Sequence, residues 1–143
     1  MPDYELRQAT RADYEFLYRL HVAAMRDLVT RVWGWEDAWQ EQFFADHFDP
    51  AHSRTVVVNG EDVGVIAIEW NVVDAFIVNI EILPDYQGRG LGAALVHGII
   101  AAADSRNLPV RLHVLKINPA RRLYERLGFV INGETETHFL MTR

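Results

Sequence analysis

An apolar run ends at Ile82-Leu83-Pro84, and Asp85-Tyr86-Gln87-Gly88-Arg89-Gly90-Leu91-Gly92 then leads into a helix-forming stretch. Glycines at alternate positions, after a strand and before a helix, leave main-chain N–H groups uncovered where that helix begins. Such a start is a seat for an anionic group such as a pyrophosphate. Which anion-binding fold carries it is decided by the rest of the chain.

Residues 4–9 alternate in polarity and read as a short strand. Thr10 is a suitable N-cap with Asp13 in the capping-box place, and the next helix carries Phe16, Leu17, Leu20, Ala24 and Leu28 on one face. Trp33-Gly34-Trp35 breaks it, and residues 36–47 read as a second helix that stops at Asp49-Pro50. The β-rich runs 53–58 and 63–70 flank Asn59-Gly60, a pair suited to a type I′ turn, which predicts an antiparallel hairpin. Residues 75–83 form a third such strand, 90–105 a buried helix and 109–117 a further strand. A helix over 119–127 closes at Gly128, and strands at 129–131 and 137–141 finish the chain. The order β-α-α-β-β-β-α-β-α-β-β predicts a mixed α+β fold, with a central sheet of about six to seven strands and about four helices.

The 143 residues, half of them hydrophobic, suit one domain with a real core. No apolar run is long enough to span a membrane, and Met1-Pro2-Asp3-Tyr4 lacks the regions of a signal peptide. The chain has no cysteine, which excludes a disulfide, a thiolate metal site and a covalent thiol intermediate. These features lead us to expect a cytoplasmic protein that works without a metal. A formal charge of −6 argues against nucleic acid as the main partner.

Gly88, Gly90 and Ala93 formally satisfy the dinucleotide-binding spacing G-x-G-x-x-A. That fingerprint should open a βαβ unit with an acid ending the following strand, whereas here the glycines follow antiparallel strands and the next strand ends at Ile117-Asn118. A P-loop needs Gly-Lys-Ser/Thr, which is absent. Gln87-x-x-Gly90-x-Gly92, preceded by Pro84 and a strand, instead resembles the acyl-CoA signature of the GCN5-related N-acetyltransferases (GNAT). Asn118-Pro119-Ala120-Arg121-Arg122-Leu123-Tyr124-Glu125-Arg126-Leu127-Gly128-Phe129 resembles that family's second motif. The element order agrees as well, so the resemblance covers essentially the whole chain.

The resemblance implies a sheet that splits where the strands 75–83 and 109–117 diverge, with acetyl-CoA as cosubstrate. Pantetheine would pair with amides near Glu81, Ile82 and Leu83, and the pyrophosphate would rest on Gln87, Gly88, Arg89, Gly90, Leu91, Gly92 and Ala93. Tyr124 would be the acid near the thioester sulfur. Reference pKa values of about 10 for tyrosine and about 8.5 for a thiol make full proton transfer uphill by roughly 2 kcal/mol, so Tyr124 acts first as a hydrogen-bond donor. Asn118 either contacts CoA or simply caps the helix that starts at Pro119; it lies six residues before Tyr124, where the family commonly has seven.

A free alkylammonium, with a pKa near about 10.4, must lose a proton before attack. The candidate bases are His113, whose intrinsic pKa suits the work, and Glu81 on the other diverging strand. Asn79 shares the face of Glu81 by alternation, and either could orient the amine, although Glu81 could equally be solvated. For the acceptor site the candidates are Arg26, Arg31, Trp33, Trp35, Trp39, Gln40, Phe43 and Phe44. Tryptophans would hold a cation or an apolar body, and the arginines would clamp a carboxylate. Helical spacing favours core positions for Trp39, Phe43 and Phe44. The expected activity is direct acetyl transfer to the primary amine of a small molecule or amino acid. The alternatives are acetylation of a protein lysine or N-terminus, and a non-catalytic acyl-CoA sensor. A homodimer is left open.

Overall fold

A computed structural model describes residues 2–143. Seven strands in the order β1-β2-β3-β4-β5-β7-β6 form a mixed sheet accompanied by four α-helices, in the predicted order of elements. By contacts the chain divides into two compact units: one holds residues 3–67 and 79–88, the other Pro2, 68–78 and 89–143. The strands β3 (Glu61–Trp70) and β4 (Ala75–Ile82) supply residues to both.

In the first unit β1 (Glu5–Gln8) pairs antiparallel with β2 (Ser53–Val58), and β2 with β3. Asn59 and Gly60 have φ of 52° and 80°, the two positive values a type I′ turn demands. The capping box forms as expected: Thr10 Oγ1 accepts from Ala12 N, and Asp13 Oδ2 from Thr10 N at 2.8 Å. A single 3₁₀ turn at Arg11–Asp13 precedes α1 (Tyr14–Trp33), which ends at Gly34 with φ 81°. Leu17 and Leu20 of α1 are buried with Ala9 and Val65, and Phe16, Phe44, Phe48 and Leu83 pack against them. The second helix, α2, is Asp37–His47.

In the second unit α3 (Leu91–Asp104) buries seven side chains, including Leu91, Leu95, Val96, Ile99 and Ile100. β5 (Val110–Leu115) pairs parallel with β4 over Ala75↔Val110 to Ile77↔Leu112 only, although β5 continues to Leu115. α4 (Ala120–Arg126) follows β5, and Gly128 takes φ 97° after it. β7 (His138–Thr142) pairs antiparallel with both β5 and β6 (Val130–Glu134). No helix among the described residues is long and apolar enough to cross a membrane.

Candidate active site

Within the unit of residues 3–67 and 79–88, the chemistry centres on β4. Alternation along β4 puts Glu81 on the face of Asn79. Glu81 is 4% exposed, which corrects the alternative that it is solvated. Its carboxylate meets a partner that the sequence reading missed: Oε2 lies 2.8 Å from His21 Nδ1. His21 lies one turn after the buried Leu17 on α1, so it shares that inward face. The backbone at Glu81 also sits close to β3. A Cβ on Gly64 would lie 2.7 Å from the Glu81 carbonyl oxygen, so only glycine fits there without a shift.

Burial alone would depress the His21 pKa. The hydrogen bond and charge of Glu81, together with a side-chain hydrogen bond to the buried Gln40 of α2, outweigh that and hold it above the ordinary value.

His21 and Gln40 line a cleft of ≈810 Å³ with Val29, Trp33, Gly34, Trp35, Glu36, Trp39 and Phe43. Trp35 Nε1 donates to Asp37 Oδ1 at 2.8 Å, and its ring centroid is 6.1 Å from that of His21. The Arg26 guanidinium lies over the Trp35 ring at 5.6 Å, and Arg26 is not among the residues lining the cleft. The expected core positions of Trp39 and Phe43 need correction. They are 56% and 45% exposed and form a stacked ladder on α2, Trp39 on Phe43 at 5.0 Å and Phe43 on His47 at 4.0 Å. Mutual stacking at i, i+4 spacing accounts for their register without burial. Phe44, on the other side of α2, is the one that packs inward. Trp33 is 59% exposed at the end of α1.

The loop after β4 is held by its own side chain. Gln87 Nε2 donates to the Ile82 carbonyl at 2.8 Å, while Leu83 N donates to Val63 O at 2.9 Å. The Leu83 amide is therefore engaged, and alternation turns the Ile82 amide to the opposite edge of β4. Gly88 has φ 74°.

In the other unit, Gly90 adopts the left-handed conformation (φ 84°) and opens α3 without a side-chain cap. Ala94 N bonds Gly90 O, whereas the N–H groups of Leu91, Gly92 and Ala93 have no acceptor within the helix, by helix geometry. Adjacent main-chain donors at the positive end of a helix are a donor set that fits a diphosphate.

His113 is exposed on β5, opposite Leu140 in register, its ring centroid 5.1 Å from that of Phe76 in an edge-to-face arrangement. His138, on β7, has its pKa lowered by burial first and by the charge of His113 second. Asn118 Oδ1 accepts from Ala120 N at 2.9 Å, so it caps α4 in the manner of its simpler reading. Tyr124 is half-buried with its ring 5.7 Å from Phe129, and burial raises its pKa. Arg121 pairs with Glu125 at 3.2 Å and lies over Phe139, while Arg122 and Arg126 are exposed on α4.

Residues 14–129 match the family model of the acetyltransferase (GNAT) family. The chain belongs to the GNAT family. It is 34% identical over 94 residues to the [ribosomal protein bS18]-alanine N-acetyltransferase of Escherichia coli K12, covering 64% of each chain. The matches span 51% and 64% of the lengths of the first curated relatives. In fold the chain is similar to a PaiA N-acetyltransferase of Thermoplasma acidophilum solved in complex with coenzyme A, with a TM-score of 0.81, 14% identity and coverage of 99% and 98% of the two chains. It is also similar to Arabidopsis thaliana Naa50 in complex with the bisubstrate analogue CoA-Ac-MVNAL, with a TM-score of 0.66, 20% identity and coverage of 98% and 97%.

Against the GNAT expectations, the first unit brings together Glu81, Trp33, Trp35 and Gln40 around one cleft or beside it, and adds His21. It leaves Arg26 on the Trp35 face and Arg31 exposed outside the lining. The signal that could have found His21 was its position next to Leu20, at the edge of the apolar face of α1.

Proposed function

We propose that this GNAT protein is an N-acetyltransferase that moves an acetyl group from acetyl-CoA to the primary amine of a small molecule or amino acid by direct attack. The observation that carries the reading is the uncapped start of α3 behind the left-handed Gly90, in a family of acetyltransferases. The fold neighbour solved with coenzyme A supports the same donor. Gly88, Arg89, Gly90, Leu91, Gly92 and Ala93 would hold the diphosphate, and the Ile82 edge of β4 the pantetheine. The cleft beside His21 falls in the size range of small-molecule sites, about 300–1,000 Å³.

When bound, acetyl-CoA supplies a thioester carbon open to nucleophilic attack. The chain itself must take a proton from the amine and steady the departing sulfur. His113 is the proposed proton acceptor, supported by the exposure of its imidazole on β5. Tyr124 is the proposed donor to the sulfur, supported by a raised pKa that keeps its hydroxyl protonated. Glu81 is less suited to act as a free base, because its carboxylate is already paired with His21; it would orient that imidazole in the cleft wall, with Asn79 on the same strand face. With no cysteine in the chain, attack by the amine needs no cysteine acyl-enzyme.

A second reading, acetylation of a peptide N-terminus, is supported by the names of the E. coli relative and of the Naa50 complex. A thiol-release screen of acetyl-CoA against amines, amino acids and short peptides separates the two. Release with small amines supports the first reading, and release with peptides alone supports the second. Tight CoA binding with no release from any acceptor would instead point to a sensor.

A further inference from the structure

We infer that the acceptor is a primary amine on an apolar, aromatic-sized body that carries no carboxylate beside the amine; this rests on the acetyltransferase reading and narrows it. Three of the four tryptophans of the chain, Trp33, Trp35 and Trp39, line the cleft with Phe43 and Val29. Such walls hold an apolar body by contact, and an ammonium by attraction to the ring faces. Among the lining residues Glu36 is the one carboxylate, His21 the one histidine, and none is a lysine or arginine.

The His21 ring is paired with a carboxylate of its own, its Nδ1 lying 2.8 Å from Glu81 Oε2. That leaves Glu36, which favours a cation. Arg26 lies over the Trp35 ring, outside the lining, and Arg31 is exposed outside it as well. Across residues 21–47 the sequence has five acids (Asp27, Glu36, Asp37, Glu41, Asp46), two arginines and no lysine. A carboxylate entering this cleft would lose water without gaining a cation, and would face Glu36. An amine without one gains from both the rings and the acid.

The test uses three ligands with the same ring: phenethylamine, phenylalaninamide and phenylalanine. Binding to the intact protein is read by quenching of its tryptophan fluorescence, and turnover by thiol release from acetyl-CoA. Phenethylamine and phenylalaninamide should bind more tightly than phenylalanine by about tenfold or more, the size of one uncompensated charge contact, with kcat/KM in the same order. Glu36→Gln should shrink that gap. Phenylalanine binding as tightly as its amide, or no quenching by any of the three, would overturn the inference. The expected binding order without thiol release would overturn these amines as acceptors, whereas the acetyltransferase reading falls only if no amine or peptide of the wider screen releases thiol.

Discussion

Nδ1 of His21 lies 2.8 Å from Oε2 of Glu81, joining the middle of α1 to β4 across 60 residues of chain. His21 of this pair lines the proposed acceptor cleft, and the protonation of its ring links folding to pH. The His21 pKa is raised above 6.5 in the folded chain, so the stabilisation it contributes is fully present below the unfolded value and is lost as pH rises through the folded one. Urea unfolding should therefore show stability falling as pH climbs above about 6.5. Glu81→Ala should flatten that dependence, and should cost about 3 kcal/mol near pH 6 because it strands a buried imidazolium.

The same pair gives a spectroscopic prediction. In the native protein the His21 ring should titrate above the ordinary histidine value. In Glu81→Gln burial remains while the charge of the partner is gone, and the ring should titrate lower than in the native chain. Proton NMR of the imidazole resonances measures both, and an unchanged midpoint in the variant would remove Glu81 as the cause.

Gly64→Ala tests how β3 sets the position of β4. The added Cβ would meet the Glu81 carbonyl oxygen at 2.7 Å and the Ile82 Cα at 3.5 Å, both backbone atoms that do not swing aside. A loss of about 1–3 kcal/mol in chemical denaturation is expected, the usual range for overpacking. The His21 titration should shift with it, since Glu81 must move.

Gly90→Ala forces a side chain into a left-handed backbone (φ 84°), a strain of roughly 1–2 kcal/mol. Coenzyme A affinity measured by calorimetry should fall by about tenfold. Gly60→Ala carries comparable strain (φ 80°) in the β2–β3 turn and should leave that affinity unchanged.

Tyr124→Phe should lower kcat by about a hundredfold or more while sparing acetyl-CoA binding, if its hydroxyl serves the leaving sulfur. Steady-state kinetics paired with calorimetry checks both halves. Unchanged turnover would take Tyr124 out of the chemistry.

Local signals were readable wherever a few adjacent residues decide the backbone. Asn59-Gly60 forced its turn, the Thr10 and Asp13 pair capped its helix, and β2 spans Ser53–Val58 as the β-rich run predicted. Gly34 and Gly128 ended helices through positive φ. What escaped was contact over distance. Nothing near His21 in the sequence announces Glu81, because the partner arrives through the packing of α1 on the sheet. Trp39 and Phe43 misled for a related reason: apolar residues four apart on a helix look the same whether they face a core or stack on each other in solvent.

Gln40 is the buried residue of α2, and it is a hydrogen-bonding amide. A helix anchored inward by a carboxamide and by Phe44 leaves its aromatic outer residues answerable to no neighbouring core. Evolution could therefore rewrite that wall by ordinary surface substitution, retuning which molecules are accepted while the machinery on the sheet stays untouched.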